Sequence, residues 1–522
     1  MTHPKLVEAM SRPDFYPHRP PTVELVQTHI SFVFIAGDLV YKVKKAVDFG
    51  FLDFTTLAKR KYFCEEELRL NRRLAPETYL EVAAIGEDEG GGLRPGGGRP
   101  IEYAVVMQKL PLERMLKKLL AEGKVGPAAM DAVAGRVAAF HRKAETGGEI
   151  DELGGIETIR YNHDENFAQT EKYIGLTIAR ERYDFLRAWV NRFLERERPL
   201  FQRRVREHRI RDCHGDLHAE HICLADGIII FDCIEFNQRF RYGDVAAEAA
   251  FLAMDLDYNG YPAHARAFVD AYVRHSGDEE VLRLLDFYRC YYAYVRGKVI
   301  SFRVDDPHIG GADREAAARM AARYFDLALS YAARPANKTL ILVAGLMGTG
   351  KSVMARALAP LVGAEIIQMD AVRKEMLWIP ASEHRYEGFG QGIYSADISR
   401  KTYAKALEMA LGKLVTADAV IIDASYRDRE ERLRAFEAGR RAGTDVVVLE
   451  CTCPEDTIKQ RLHSRQSAGG DVSDGRWEIF QAQKGKFERI DEIPEGCHLA
   501  VDTSLAPDEN AFRVLKKISG LG

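Results

Sequence analysis

Gly345-Leu346-Met347-Gly348-Thr349-Gly350-Lys351-Ser352 follows directly on the apolar run Thr339 to Ala344 and opens a helix-forming segment, Val353 to Leu361. The stretch satisfies G-x-x-x-x-G-K-[ST] at every required position, and strand, loop and helix stand in the order the motif needs. The residue types follow from the chemistry. Glycines let backbone N–H groups turn inward around phosphate oxygens, at the positive end of the following helix. Lys351 reaches the β/γ-phosphates and the Ser352 hydroxyl is placed to ligate Mg²⁺. Gly345, Gly348, Thr349, Gly350, Lys351 and Ser352 are therefore expected to bind a nucleoside triphosphate. The bland alternative is a chance glycine turn before a helix, and the complete strand–loop–helix context disfavours it. The motif begins about two-thirds of the way along the 522 residues, so something substantial precedes it.

A chain of 522 residues has room for two to four domains at roughly 100–200 residues each. Its 46% apolar and 29% charged content is that of a soluble globular protein. With 74 basic against 78 acidic residues the net charge is −4, so no global basic field points to nucleic acid, although a local patch stays open. The N-terminus lacks an apolar signal region and no run approaches ~18 apolar residues. Neither export nor a membrane span is expected. Eight scattered cysteines read as reduced thiols in the cytoplasm.

The first 30 residues carry no clear pattern. Strand-like alternation then runs through Ile30 to Ile35, turns at Gly37-Asp38, and returns through Leu39 to Lys44. A Lys-, Arg-, Glu- and Leu-rich helix is predicted over Leu57 to Leu74. Residues 86–99 read as an exposed glycine-rich loop, followed by a strand over Glu102 to Met107. Helical patterns dominate from Leu112 to Ala332, interrupted by one β-like island at 210–234. Strands first and helices after, with an island between them, is the layout of a two-lobed kinase.

The island contains His214-Gly215-Asp216, a β-hairpin, and Asp232 at the end of Ile228-Ile229-Ile230-Phe231. It resembles the aminoglycoside phosphotransferase and choline-kinase branch of the protein-kinase-like fold. The resemblance covers about residues 30–330, and its specific motifs lie in the island. It implies that Asp216 orients and deprotonates an acceptor hydroxyl and that Asp232 holds Mg²⁺ on the nucleotide phosphates, in a reaction dominated by positioning and charge neutralisation. Lys42 resembles the lysine that contacts the α/β-phosphates, with Lys44 and Lys45 as solvent-exposed competitors. Its carboxylate partner comes from Glu65, Glu66 or Glu67; Glu67 is preferred because Leu70 of the same E-x-x-L-N stretch would pack inward. Met107 to Leu110 falls where backbone groups would meet adenine.

One position departs from the resemblance. The family's H-G-D-x-x-x-x-N places an Asn, as a second metal ligand, where this sequence has His221. Imidazole nitrogen is a softer donor than an amide oxygen, which brings Mn²⁺ in beside Mg²⁺. A zinc site built from His214, His218, His221, Cys213 and Cys223 is disfavoured, because the order lacks paired spacing and a hairpin would aim the side chains to different sides.

A Pro-containing linker is expected near 332–338. Beyond it, predicted strands (Thr339–Ala344, Ala364–Gln368, Ala419–Asp423, Asp445–Glu450, His498–Val501) alternate with helices, including Ser399–Leu414 and Arg427–Ala442. That alternation implies a parallel sheet covered on both faces. Asp370, at the carboxyl edge of the sheet, resembles the acceptor-activating Asp of D-x-x-R in small-molecule and polynucleotide kinases. A helix N-cap is its ordinary alternative. Asp423 ends an apolar strand as a Mg²⁺-shell carboxylate would. Arg461 and Arg465 resemble lid arginines that neutralise a transferring phosphate, with a solvated helix face as the alternative.

The sequence thus predicts an α+β two-lobed kinase-like domain over 1–333 and an α/β P-loop domain over 338–522, resembling the zeta-toxin and polynucleotide-kinase group. The combination resembles a bacterial family of bifunctional proteins. Both sites are expected to use ATP (or GTP) with Mg²⁺. Three readings of the acceptor stay open: small hydroxyl-bearing metabolites for both domains, a nucleic-acid 5′-hydroxyl for the P-loop domain, or a nucleotide-sensing module without an acceptor. The acidic balance and the lack of an aromatic-and-basic run weigh against nucleic acid.

Overall fold

The computed structural model describes residues 4–306, 309–335, 337–380, 391–468 and 477–519. The chain divides into two compact units, Met1–Thr177 with Val190–Ala328 and Ile178–Trp189 with Leu329–Gly522. Of the expected linker at 332–338, Ala336 lies outside the described residues.

The first unit opens on an antiparallel sheet of β1 (Val23–Gln27), β2 (Ser31–Ala36), β3 (Leu39–Lys44), β4 (Tyr79–Glu87), β5 (Leu93–Pro95) and β6 (Arg99–Gln108), in the order β1-β2-β3-β6-β4-β5. Ala36 pairs with Leu39 across the two-residue turn expected at Gly37-Asp38. Alternation sends Phe32, Phe34, Ala36, Tyr41 and Val43 into one core, leaving the other face of β3 to Val40, Lys42 and Lys44. The helix Leu57–Asn71 starts under a Thr56 cap, whose hydroxyl accepts from Lys59 N at 3.2 Å. It buries Cys64, Glu67 and Leu70. Two expectations need correction. Residues 86–99 are not all loop, because Leu93–Pro95 pairs with Ile85–Glu87. The opening 30 residues are not featureless either: Val23–Gln27 adds the edge strand β1.

The island supplies β7 (Ile210–Asp212), β8 (Ile222–Ala225) and β9 (Gly227–Ile230), and β10 (Tyr242–Asp244) follows. β8 pairs with β9, and β10 returns to pair with β7. The helix Val245–Tyr258 is buried continuously from Val245 to Leu256, as its apolar run around the whole circumference requires.

In the second unit β11 (Thr339–Ala344), β12 (Ala364–Gln368), β13 (Ala419–Asp423), β14 (Asp445–Thr452) and β15 (His498–Asp502) form a parallel sheet in the order β12-β13-β11-β14-β15. All six residues of β11 are buried, which explains a strand apolar on both faces. Connections leave β11 first to one side and later to the other, so the switch point lies at its carboxyl end, where such sheets bind ligands. The glycine-rich loop starts there. The eight cysteines are free thiols, and Cys451 is buried within β14. Among the described residues, no helix is long and apolar enough to cross a membrane.

Candidate active sites

Strand periodicity puts Lys42 and Lys44 on the face of β3 that the helix Leu57–Asn71 covers. Lys42 Nζ lies 2.8 Å from Glu67 Oε1 and 2.6 Å from Asp232 Oδ1. Glu66 turns outward to Arg69 and Glu65 to Lys61, so Glu67 alone of the three candidates faces the lysine. Lys44 is not a solvated competitor. It is 2% exposed, 2.6 Å from Glu67 Oε2, and paired again with Glu235. Burial alone would lower the pKa of both lysines, but the facing carboxylates outweigh it and raise both. Burial would likewise raise Glu67, yet the two lysines bring it below its ordinary value. At Glu235 burial prevails over Lys44, and the carboxyl stands above its ordinary range.

Gly215 adopts φ 85°, and a Cβ there would meet Phe240 O at 2.9 Å; only glycine fits. The loop it belongs to is held from beneath. Glu248 Oε1 accepts from the N–H groups of His214 and Gly215, both at 2.7 Å. Its Oε2 lies 2.7 Å from His141 Nε2, and His141 Nδ1 lies 2.7 Å from Tyr272 Oη. Asp232 stands at φ 64°, a left-handed conformation for a non-glycine residue, with its N–H donated to Tyr79 Oη at 3.2 Å.

His221 stands between the two aspartates. Its Nδ1 is 2.9 Å from the Asp216 carbonyl oxygen and 3.5 Å from Asp216 Oδ2, while its Nε2 is 3.5 Å from Asp232 Oδ2. His218 Nε2 is 3.6 Å from Asp216 Oδ2, and the two imidazole rings are 4.0 Å apart. The expectation that the hairpin would scatter these histidines is therefore wrong for His218 and His221. It holds for Cys213 and Cys223, whose thiols face the carbonyls of Gly243 and Pro111. Asp216, His218 and His221 offer ligand atoms within 4.8 Å of one another, a carboxylate–imidazole set that fits a divalent metal. Burial alone would raise the Asp216 carboxyl, but the adjacent His218 and the charges of His221 and Arg296 outweigh this and hold it at about 2. Asp216 also lines a cavity of about 1190 Å³. Met107 and Gln108 close β6, and Lys109 N is already bonded to Asp38 O at 2.8 Å.

In the second unit Gly345 takes φ 138°, and a Cβ there would lie 2.6 Å from Cys451 O. Thr349 Oγ1 and Lys351 Nζ both donate to Leu346 O, at 2.7 and 2.8 Å, closing the loop on itself. Ser352 is the second residue of the helix Lys351–Val362. Asp370 lies inside the first turn of the helix Met369–Met376, whose cap is Gln368. It is not a capping residue, and it forms an ion pair with Arg373. Its pKa is raised by burial first, with Arg373 and Lys351 opposing and Asp423 adding to the rise. These groups therefore share one electrostatic neighbourhood at the carboxyl edge of β11, β12 and β13. Arg461 donates to Thr503 O at 2.7 Å and to Thr503 Oγ1 at 3.3 Å. A cavity of about 250 Å³ beside Gly350 is lined by Met354, Arg461, Thr503, Leu505 and Asn510. The Arg465 side chain lies outside the described residues.

Residues 56–287 match the phosphotransferase enzyme family, and residues 340–490 match an AAA domain family. An uncharacterized protein of Mycobacterium tuberculosis is 32% identical over 463 residues, spanning 88% of this chain and 89% of that protein. The chain belongs to its family. In this chain the family's architecture is a phosphotransferase domain followed by a P-loop kinase-like domain with a parallel sheet. A shikimate kinase of Paramagnetospirillum magneticum is 27% identical over 174 residues, 32% of this chain and 83% of that enzyme. A solved gluconokinase from Sinorhizobium meliloti is 21% identical, covers 35% of this chain and 93% of its own, and gives a TM-score of 0.26.

Among the groups around these sites, Glu235, Glu248, His141 and Thr503 were not singled out in the sequence, while Lys44 was expected in solvent and His218 in a scattered set. Glu248 had a signal, being a lone carboxylate inside Val245-Ala-Ala-Glu-Ala-Ala-Phe251. A charge in a fully apolar helix must be paired if it is buried. Glu235 and Thr503 carried none, because their partners lie 191 and 154 residues away.

Proposed function

We propose that this protein is a tandem ATP-dependent phosphotransferase, with a two-lobed kinase-like domain over 1–333 and a P-loop kinase domain over 338–522. Each transfers the γ-phosphate of ATP (or GTP) to a hydroxyl acceptor. The observation that carries the reading is the convergence of Lys42, Glu67, Asp216, His221 and Asp232 on one wall of the first unit. Asp232 is 190 residues from the lysine it contacts.

In the first domain Glu67 holds Lys42 toward the α/β-phosphates, while Asp232 and His221 would hold Mg²⁺ or Mn²⁺. The metal, when bound, offsets phosphate charge. Asp216 orients the acceptor hydroxyl. A carboxylate with a pKa of about 2 is a weak base, so it accepts the proton late, as the O–P bond forms and the bond to the β-phosphate oxygen breaks. Positioning then contributes more than basicity. In the second domain the backbone of Gly345 to Ser352 cradles the phosphates and Lys351 neutralises their charge. Asp370, held above its ordinary pKa by burial, suits a proton acceptor better. Asp423 and Ser352 would hold the metal that offsets phosphate charge. Arg461 and Arg465 lie on the helix Glu455–Ala468 that follows β14, and the cavity beside Gly350 receives the base.

The test is labelled-phosphate transfer from ATP to a panel of hydroxyl compounds by the full chain, by Asp216→Asn, by Lys351→Ala and by the double variant. Each single change should abolish transfer to a different subset of acceptors, and the double variant should transfer to none. Transfer by the double variant at the wild-type rate would remove both assignments.

A further inference from the structure

The wall of the cavity beside Asp216 carries as many cations as carboxylates, but not all of them meet in direct ion pairs. Most charged groups there are matched. Arg239 Nη2 binds Glu165 Oε2 at 2.9 Å, Asp244 is held by Arg204 at 2.7 Å, and Lys172 pairs with Asp305. Two cations are not matched in this way. Lys298, on the helix Val281–Phe302, donates to the amide oxygens of Asn166 at 2.7 Å and Gln169 at 2.8 Å. Among the described residues no carboxylate lies within ion-pair distance of it. Arg296 on the same helix rests near the ring of Tyr324, 5.9 Å from its centroid, and its charge acts on Asp216 and Asp255. Of the other carboxylates on the wall, Asp216 faces His218, His221 and the charge of Arg296, and Glu171 is exposed.

Neutral amides can orient an ammonium group but cannot neutralise it. Asn166 and Gln169 lie three residues apart on the helix Ile156–Thr170 and so share one face. They fix the Lys298 ammonium from that side, in a wall rich in aromatic rings that include Phe51, Phe240 and Phe302. Partial burial of this cation pulls its pKa down to about 8, with Glu165 opposing and Arg239 adding to the fall. A partly desolvated cation of this kind attracts an anion and disfavours a second cation.

We propose that the acceptor of the first domain is a hydroxyl compound bearing a carboxylate or phosphate group, and that Lys298 receives this group inside the cavity lined by Asp216. The inference rests on the reading of Asp216 as the residue that meets the acceptor hydroxyl, and it adds the chemical class of the acceptor. Arg296 adds positive potential to the same wall.

The test uses the full chain with Lys351→Ala, which silences the second domain. D-gluconate, D-glucose and D-glucosamine form a matched anionic, neutral and cationic series, and glycerol 3-phosphate against glycerol separates a phosphate from a carboxylate source. Binding is measured calorimetrically without nucleotide at constant ionic strength, and acceptor-dependent ADP release is measured with Mg·ATP. At least one anion should bind about tenfold or more tightly than its neutral counterpart, as one charge-assisted contact provides. Lys298→Gln should remove that preference and Lys298→Arg should retain most of it. Equal or stronger binding of glucose or glucosamine, an anion preference that survives Lys298→Gln, or no discrimination in either measurement overturns the inference. Anion-selective binding without any transfer would remove the catalytic reading and leave the anion site. Transfer without anion preference would do the reverse.

Discussion

Lys44→Met distinguishes a buried charge network from a lysine-bearing strand edge. Methionine keeps most of the aliphatic stem and removes the ammonium that bridges Glu67 and Glu235. The cluster of Lys42, Lys44, Glu67, Asp232 and Glu235 holds two cations against three carboxylates. The change leaves one cation for three. Lys44 and Glu67 are 1% and 0% exposed at the side chain, so solvent screening cannot compensate. Breaking a buried pair by removing one partner costs about 3–5 kcal/mol, and the contact of Lys44 Nζ with the Phe54 ring, 4.9 Å away, is lost as well. In a unit of this size that corresponds to a fall of about 5–8 °C in the melting temperature. The deficit should depend on pH. Glu235 already stands above its ordinary pKa because burial outweighs Lys44, and without Lys44 it rises further. A carboxyl raised in the folded state binds a proton that the unfolded chain releases. Stability is therefore greatest below the unfolded value of about 4.5 and is lost, at about 1.4 kcal/mol per pH unit, as pH rises through the folded value. Denaturant titrations at pH 5.5 and 8, followed by hydrogen exchange in peptides across residues 39–71, should show a gap from wild type that widens with pH. A gap under about 0.5 kcal/mol, equal at both pH values, would refute the buried network.

Gly345→Ala should weaken binding of a fluorescent ATP analogue at least about tenfold, because a Cβ would strike Cys451 O at 2.6 Å; unchanged affinity would show that the loop can relax. Asp370→Asn should spare nucleotide binding and lower turnover of the second domain on the order of 10²-fold, and poor ATP binding with normal turnover at saturation would refute the base assignment. In the Lys351→Ala background, Asp232→Asn should raise the KM for Mg·ATP, whereas Asp216→Asn should lower kcat with little change in KM; identical kinetic signatures would contradict the division of roles. In the same background Mn²⁺ should stimulate the first domain relative to Mg²⁺, and His221→Asn should narrow that ratio in initial rates at matched free metal. The same ratio in both proteins would leave His221 as a packing residue.

The features legible before folding were local ones. Elements of the second unit were legible because strand alternation, helix periodicity and glycine at a forced turn are written into neighbouring residues. Thr339–Ala344 and Ala364–Gln368 fall where their apolar runs place them. The short β5 was hidden among glycines, where three residues of pairing leave no periodicity to read. The candidate sites divide along the same line. Gly345 to Ser352 form a contiguous motif, so the phosphate loop needed no tertiary information. Asp216 and Asp232 were legible as a pair because both flank one short hairpin. Only the tertiary structure decided that Glu67, rather than Glu65 or Glu66, faces Lys42, since one residue of rotation on a helix is below what periodicity resolves. Folding also fixes that Lys44 is buried, that His218 joins His221 over Asp216, and that Lys298 donates to the amides of Asn166 and Gln169. Each of these depends on which side chain a distant segment presents, and Coulomb energy depends on distance in space and on local burial. Separation along the chain specifies neither.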